Sequence, residues 1–129
     1  MSSSKTWTHS NLLWLLPLFW LLLIYCCSAL SSLPALHVSL FDFLVKKLAH
    51  MALFAGLFWS FWLPCHHAPG HLASRSRYFW LWLLLFCFFY ACTDEWHQSF
   101  VPGRTATWRD VGFDTLGACL ACLWSYRYL

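Results

Sequence analysis

The chain has 129 residues, of which 60% are hydrophobic and only 10% are charged, and its formal net charge is +3. In a typical soluble protein about a quarter of the residues are charged. A chain this short also has too little interior to bury so much apolar surface in water. The composition therefore excludes an ordinary soluble domain and favours an integral membrane protein. The small net charge and the lack of a long basic run exclude a nucleic-acid partner.

Residues 1–10 form a polar N-terminal tail, and residues 11–30 are almost continuously apolar. About 20 apolar residues are enough to cross a bilayer as a helix. A secretory signal peptide is the alternative, but its apolar core is shorter, about 7–15 residues, and ends at small residues. Here bulky residues continue through Trp20, Leu23 and Tyr25. We therefore predict an uncleaved first span, which Pro17 can kink.

Three further apolar segments predict spans at about 47–63, 78–93 and 111–126. The connector 31–45 is expected to place Phe41, Phe43 and Leu44 along the membrane interface. Residues 64–77 contain Pro64, Pro69 and Gly70 and predict a loop. The predicted fold is thus an all-α membrane protein, with residues 11–129 forming one domain of four transmembrane helices.

The seven cysteines are odd in number and lie mostly inside apolar runs, unlike those of a secreted disulfide scaffold. We predict that they are small packing residues. Cys119 and Cys122 form a C-x-x-C pair, for which a redox role is the alternative. Gly117 and Ala121 in the same segment have small-xxx-small spacing, which favours a close helix contact instead.

The predicted loop also groups Cys65, His66, His67 and His71, which are ligands that a soft metal ion prefers. Pro69-Gly70 interrupts any helix that would align the histidines, and no second ligand pair follows at zinc-site spacing. We therefore predict a solvated loop, with no metal site and no cofactor.

Four spans place both termini on one side of the membrane and connectors 1–2 and 3–4 on the other. One face then collects residues that are about fifty positions apart in the chain. We call this set the polar patch: Lys47, His50, Asp94, Glu95, Gln98, Arg104, Asp110 and Asp114. Lys and Arg are balanced between the two sides, so the positive-inside rule gives no orientation. The acidic residues on the patch side lead us to expect cytoplasmic termini and an external patch.

The patch is built around the segment DEWHQSFVPGR at 94–104, which carries unusual charge between two apolar spans. Asp94 and Gln98 are four residues apart, so a continued helix would place them on one face. Arg104 follows a Pro-Gly turn and is expected to fold back onto a carboxylate. Thr107 and Asp110 have the spacing of a capping box with a shorter acid.

Asp114 lies one turn deeper and needs a partner, because an unpaired polar group in an apolar environment costs several kcal/mol. The partners available to it are Lys47, His50, Arg104 and Arg109.

Three interpretations of the patch remain open. It can be a structural network that satisfies backbone at the membrane face. It can bind a phosphate- or sugar-bearing head group, with Lys47, His50 and Arg104 on phosphate and with Asp94 and Glu95 accepting from hydroxyls. It can also be catalytic, with Asp94, Glu95 and His50 as acid–base candidates. No P-loop, nucleophile elbow or zinc motif accompanies these residues.

The motif from Asp94 to Arg104, followed by TWRD at 107–110 and DTLG at 114–117, resembles the signature of VanZ-like membrane proteins. KLAH at 47–50 resembles the other motif of that family. The chain departs from the family pattern at Leu53 and Phe54, where Glu-Tyr is usual, at Asp114, where Asn is usual, and at Ala121, near which a second Gly is usual.

The resemblance implies a small, multi-pass protein of the bacterial plasma membrane. The name-giving member of the family is associated with resistance to the glycopeptide teicoplanin. The family implies no reaction and no catalytic residues. We therefore expect a role in the cell envelope through a lipid or glycan head group. The alternatives are an enzyme acting on a lipid-linked substrate and a structural partner of another membrane protein. The sequence leaves the oligomeric state open.

Overall fold

A computed structural model describes residues 12–30, 40–67 and 76–127 of the chain. Within these ranges the chain forms four α-helices and no strand, which confirms the predicted all-helical class. The helices are α1 (Leu15–Ala29), α2 (Leu40–His67), α3 (Arg77–Gln98) and α4 (Trp108–Tyr126). The polar tail 1–10, residues 31–39 of the first connector and residues 68–75 of the predicted loop lie outside the described residues.

Helix α2 is longer at both ends than the sequence predicts. Phe41, Phe43 and Leu44, expected in an interfacial connector, belong to its first turns. At the other end the helix continues through Pro64 to His67, so the predicted loop boundary was wrong. Proline has a helical φ and removes only one hydrogen bond so close to a helix end. The turn before Pro64 is braced by the Ser60 hydroxyl, which donates to the Leu57 carbonyl at 2.7 Å.

Helix α2, with 28 residues, is the one helix in the described ranges that is long and apolar enough by itself to cross a membrane. Helix α1 is apolar but has only 15 residues. Helix α4 has 19 residues and carries Arg109, Asp110 and Asp114. Length and composition therefore support a span for α2, and the other three predicted spans need a separate argument.

The four helices enclose one core in which α2 packs most extensively against α4. Its fully buried side chains include Ile24 from α1, Phe54, Leu57 and Phe58 from α2, Cys87 and Ala91 from α3, and Ala118 from α4. The outward faces are apolar as well. Large exposed side chains on them include Leu18, Leu22, Leu48, Trp82, Phe89 and Leu123.

The contact between α2 and α4 depends on Gly117. A Cβ atom at this position would lie 2.1 Å from the backbone oxygen of Met51, closer than any real contact. Gly117 and Ala121 are both buried at this surface. The small-xxx-small spacing thus corresponds to a close approach of two helices, as the sequence predicts.

We expect Gly117→Ala to destabilise the protein by about 1–3 kcal/mol, because the added methyl group must push the backbone of α2 away. Gly112→Ala is the matched control on the same helix, since nothing lies within 4 Å of a Cβ there. It should be neutral or stabilising by roughly 0.5–1 kcal/mol, because alanine favours the helix. Thermal unfolding of both variants in detergent checks this, and equal unfolding temperatures would contradict the close α2–α4 contact.

Candidate functional site

The polar patch lies where α1 ends, α3 ends and α4 begins, together with an early turn of α2. Asp94 is the patch carboxylate that accepts two side-chain hydrogen bonds, and it is only 4% exposed. Its Oδ2 accepts from the Ser28 hydroxyl at 2.8 Å and from Gln98 Nε2 at 2.7 Å. Gln98 Oε1 in turn accepts from Arg104 Nη1 at 2.9 Å. The continued helix at 94–98 therefore produces the shared face that the spacing predicts.

Arg104 joins the loop between α3 and α4 to the end of α1. Its Nη2 donates to the Cys27 carbonyl and its Nε to the Leu30 carbonyl, both at 3.2 Å. The last carbonyls of a helix lack intrahelical donors, and a cation there is favourable. Arg104 was expected to fold back onto a carboxylate. In the structure its described hydrogen bonds go to one amide side chain and two helix-end carbonyls instead.

Glu95 contacts the start of α4 through a hydrogen bond. Its Oε2 accepts from the backbone N–H of Thr107 at 3.0 Å, and the side chain is 5% exposed. Burial raises the pKa of the Glu95 carboxyl, and the hydrogen bond from Thr107 opposes that rise. Thr107 is the N-cap residue of α4, but its hydroxyl makes no capping bond. The expected capping box with Asp110 was therefore wrong, because Glu95 reaches the helix start from α3.

Asp110 and Asp114 both face α2. Lys47 Nζ lies 2.6 Å from Asp110 Oδ1 in a half-buried ion pair. One turn deeper, His50 Nδ1 lies 3.4 Å from Asp114 Oδ1, and the Asp114 side chain is only 1% exposed. Of the four possible basic partners of Asp114 predicted from the sequence, His50 is the one that lies beside it.

A polar cavity of about 280 Å³ opens among these side chains. Seven of the eight patch residues line it, and Asp94 alone does not. Lys46 and Thr105 also line the cavity. A second cavity of about 300 Å³ is lined mainly by apolar or small residues such as Cys92, Trp96, Trp108 and Val111. Glu95 borders both cavities.

Sequence reasoning missed Ser28. The Ser28 side chain is fully buried. Its hydroxyl donates to Asp94 Oδ2 and accepts from Gln98 Nε2. The sequence feature that could have indicated this role is a serine four residues after Ile24, on the same face of an apolar helix. Predicting the contact required knowing that α1 ends beside α3, which the sequence does not state.

The cysteine–histidine group of the predicted loop is arranged differently. Cys65, His66 and His67 lie in the last turn of α2, and His71 is outside the described residues. The His66 ring stacks on Trp62 of its own helix, and His67 Nδ1 lies 3.0 Å from the Leu63 carbonyl. Both rings thus contact their own helix, and within the described ranges these residues do not form a group with metal-ligand spacing.

We expect Arg104→Lys to destabilise the protein by about 1–3 kcal/mol. Lysine keeps the charge but lacks the planar fork that reaches Gln98 and two carbonyls at once. Arg127→Lys is the control, because Arg127 is exposed at the far end of α4 and should change stability by less than about 0.5 kcal/mol. Thermal unfolding in detergent measures both; an Arg104→Lys variant as stable as the control would show that the fork is dispensable.

The family model described as VanZ/LLP1 matches residues 2–128, which is nearly the whole chain. A search of curated proteins and a search of solved structures returned no significant match. The family match agrees with the resemblance carried by the motifs around Asp94 and Lys47. The chain therefore belongs to the VanZ/LLP1 family.

Proposed function

We propose that the protein is a multi-pass protein of the bacterial plasma membrane whose polar cavity binds the phosphate-bearing head group of a lipid or lipid-linked glycan. This binding would give it a role in the cell envelope, and in a family named for glycopeptide resistance it would act by altering access to such a molecule. The observation that carries the proposal is the polar cavity itself, a pocket at one end of an otherwise apolar bundle whose lining includes Lys46, Lys47 and Arg104.

The outward surface supports four membrane spans. Exposed leucine, phenylalanine and tryptophan side chains occur on all four helices, and such extensive apolar surface on a small protein marks contact with lipid or another protein. The polar side chains of the patch point inward, which is where ionisable groups of membrane proteins are found. Helix α1 is shorter than a bilayer is thick, although the apolar segment continues before its first residue.

The basic residues of the cavity retain donors for an anion. Arg104 has five N–H groups, of which three are used in the described contacts, and Lys47 has three, of which one faces Asp110. Lys46 is exposed at the cavity edge. Phosphate oxygens accept strongly from such groups, so a head group entering from this edge would meet three cations first.

The two acids proposed for hydroxyl binding have different positions. Glu95 lines the cavity and keeps an oxygen beyond the one that Thr107 engages. Asp94 does not line it, and its Oδ2 already accepts two hydrogen bonds. We therefore assign hydroxyl recognition to Glu95 and Gln98, with Asp94 orienting Gln98.

The neighbouring apolar cavity suits the other end of an amphiphile. Trp96, Trp108 and Val111 line it, and Glu95 lines both this cavity and the polar cavity. An apolar chain lying there would place its head group within reach of Lys47 and Arg104. This arrangement favours a lipid-linked ligand over a free sugar or a free phosphate.

An enzyme acting on a lipid-linked substrate is the second candidate. It is favoured by Glu95, a buried carboxyl with a raised pKa that borders both cavities. A raised pKa suits a carboxyl group that passes a proton to or from a substrate. Head-group binding requires no chemical change in the lipid, whereas an enzyme would convert it to a product. Turnover of the lipid therefore distinguishes the two functions.

The binding test uses purified protein in neutral detergent and native mass spectrometry. We expect retained phosphatidylglycerol to exceed retained diacylglycerol with the same acyl chains, because only the former carries phosphate. Lys47→Gln should weaken phosphatidylglycerol retention about tenfold, since a hydrogen bond to a charged group contributes roughly 1.5–3 kcal/mol. Arg127→Gln, at the opposite end of α4, should retain lipid as the unmodified protein does.

Equal retention of the two lipids, or equal behaviour of the Lys47 and Arg127 variants, would contradict head-group binding. Glu95→Gln distinguishes the second candidate. Turnover of a labelled envelope lipid that this variant abolishes, with retention unchanged, would establish an enzyme. Retention without turnover in the unmodified protein supports binding alone.

A further inference from the structure

Three side chains deep in the patch have the arrangement of a metal site. Ligand atoms of His50, Asp94 and Asp114 all lie within 4.8 Å of one another. They come from three different helices, α2, α3 and α4. Within the described ranges no other group of three or more such residues has this spacing.

Asp114 gives independent evidence for a missing partner. Its side chain is 1% exposed, and neither carboxylate oxygen has a hydrogen-bond partner among the described residues. Its nearest basic neighbour is His50 Nδ1 at 3.4 Å, too long for a strong charged hydrogen bond. A buried carboxylate with so little compensation costs several kcal/mol. The second oxygen of Asp114 therefore requires a proton or a cation.

The charge of the patch points to a cation. Among its described residues, four carboxylates (Asp94, Glu95, Asp110 and Asp114) face the two basic side chains Lys47 and Arg104. Lys46 is exposed and pairs with Asp42 outside this group. With His50 neutral, two negative charges remain uncompensated in a largely buried site. One divalent ion removes this excess.

We propose that His50, Asp94 and Asp114 bind a divalent transition-metal ion of the Zn²⁺ type. One imidazole and two carboxylates are a donor set that suits such an ion. Bonds of about 2.0–2.2 Å would require the ligand atoms to approach to about 3.4 Å in a tetrahedral site. His50 Nδ1 and Asp114 Oδ1 already lie 3.4 Å apart.

The surroundings of the three ligands fit this role. Ser28 and Gln98 both donate to Asp94 Oδ2 and so fix the orientation of that carboxylate, as outer hydrogen bonds do at metal sites. His50 and Asp114 line the polar cavity, so a fourth coordination position would face it. A phosphate oxygen or a water molecule entering the cavity is the ligand that this position takes. The inference stands on the three side chains and does not require that a lipid binds.

The test is metal binding by untagged protein purified in detergent, using Zn²⁺ by calorimetry and Co²⁺ by visible absorption. We expect one equivalent of Zn²⁺ to bind and to raise the unfolding temperature. The Co²⁺ spectrum should show nitrogen and oxygen ligation without thiolate bands, which separates this site from the seven cysteines.

Asp114→Asn keeps the shape of the side chain and removes its charge, and we expect it to weaken Zn²⁺ binding at least 100-fold. His50→Gln should do the same. Ser28→Ala should weaken binding about 10–100-fold through the orientation of Asp94. Asp42→Asn is the control, because this exposed acid of α2 lies outside the group, and it should bind as the unmodified protein does.

The proposal is overturned if the unmodified protein binds no metal ion, or if Asp114→Asn and Asp42→Asn bind equally. Circular dichroism and gel filtration identify a variant that fails to fold, and the Co²⁺ spectrum of the unmodified protein then still decides the ligand type. Thiolate bands in that spectrum would assign the metal to cysteine and also overturn the proposal. Lipid retention without metal binding would leave head-group binding intact while rejecting this site.

Discussion

Keeping carboxylates between apolar helices is the constraint on which this structure depends. A charge removed from water is tolerated only when other groups in the protein solvate it. Asp94 meets the requirement through Ser28 and Gln98, Glu95 through the backbone of Thr107, and Asp110 through Lys47. Apart from the Asp94–Gln98 bond within α3, each of these contacts joins different segments of the chain. The polar contacts thus fix the positions of the helix ends, while the apolar core supplies most of the buried surface.

The same contacts explain why α1 has a defined place although it is short and apolar. An apolar helix has little to specify its rotation in lipid, where neighbouring helices are no more apolar than the solvent. Ser28 and the end carbonyls that Arg104 binds mark one face of α1. Farther along the helix, Tyr90 donates to the Leu21 carbonyl at 2.9 Å. These bonds select one orientation of α1 against α3.

Much of the site could be predicted from the sequence because its main segment is local. The four-residue step from Asp94 to Gln98 and the turn at Pro102-Gly103 follow from helix spacing and turn chemistry. Gly103 indeed has a positive φ of 80°. The requirement that a buried acid has a partner limited the partners of Asp114 to four basic residues, of which the structure places His50 beside it. The family assignment rested on the same contiguous residues.

The remainder depends on which helices are neighbours. Ser28 stands alone in an apolar run, so nothing nearby in the chain reveals its contact with Asp94. The partners of Arg104 are carbonyl groups, which every residue carries, so no side-chain pattern could identify them. The meeting of His50, Asp94 and Asp114 requires three helices at once, which explains why the sequence led us to expect no metal site. The helix ends at Leu40 and His67 were missed because aromatic residues and a late proline fit a helix as well as a connector.

We propose that the polar patch lies at one face of a membrane and that α4, despite its charges, crosses to the other face. The direct measurement introduces a single cysteine at Ser99 or at Arg127, both exposed and on opposite sides of α4, in a background without the native cysteines. An impermeant thiol reagent is then applied to intact and to permeabilised cells. With an external patch, we expect Ser99→Cys to be labelled in intact cells and Arg127→Cys only after permeabilisation. The reverse pattern keeps the crossing and moves the patch to the cytoplasm. Labelling of both positions from the same side would contradict the claim.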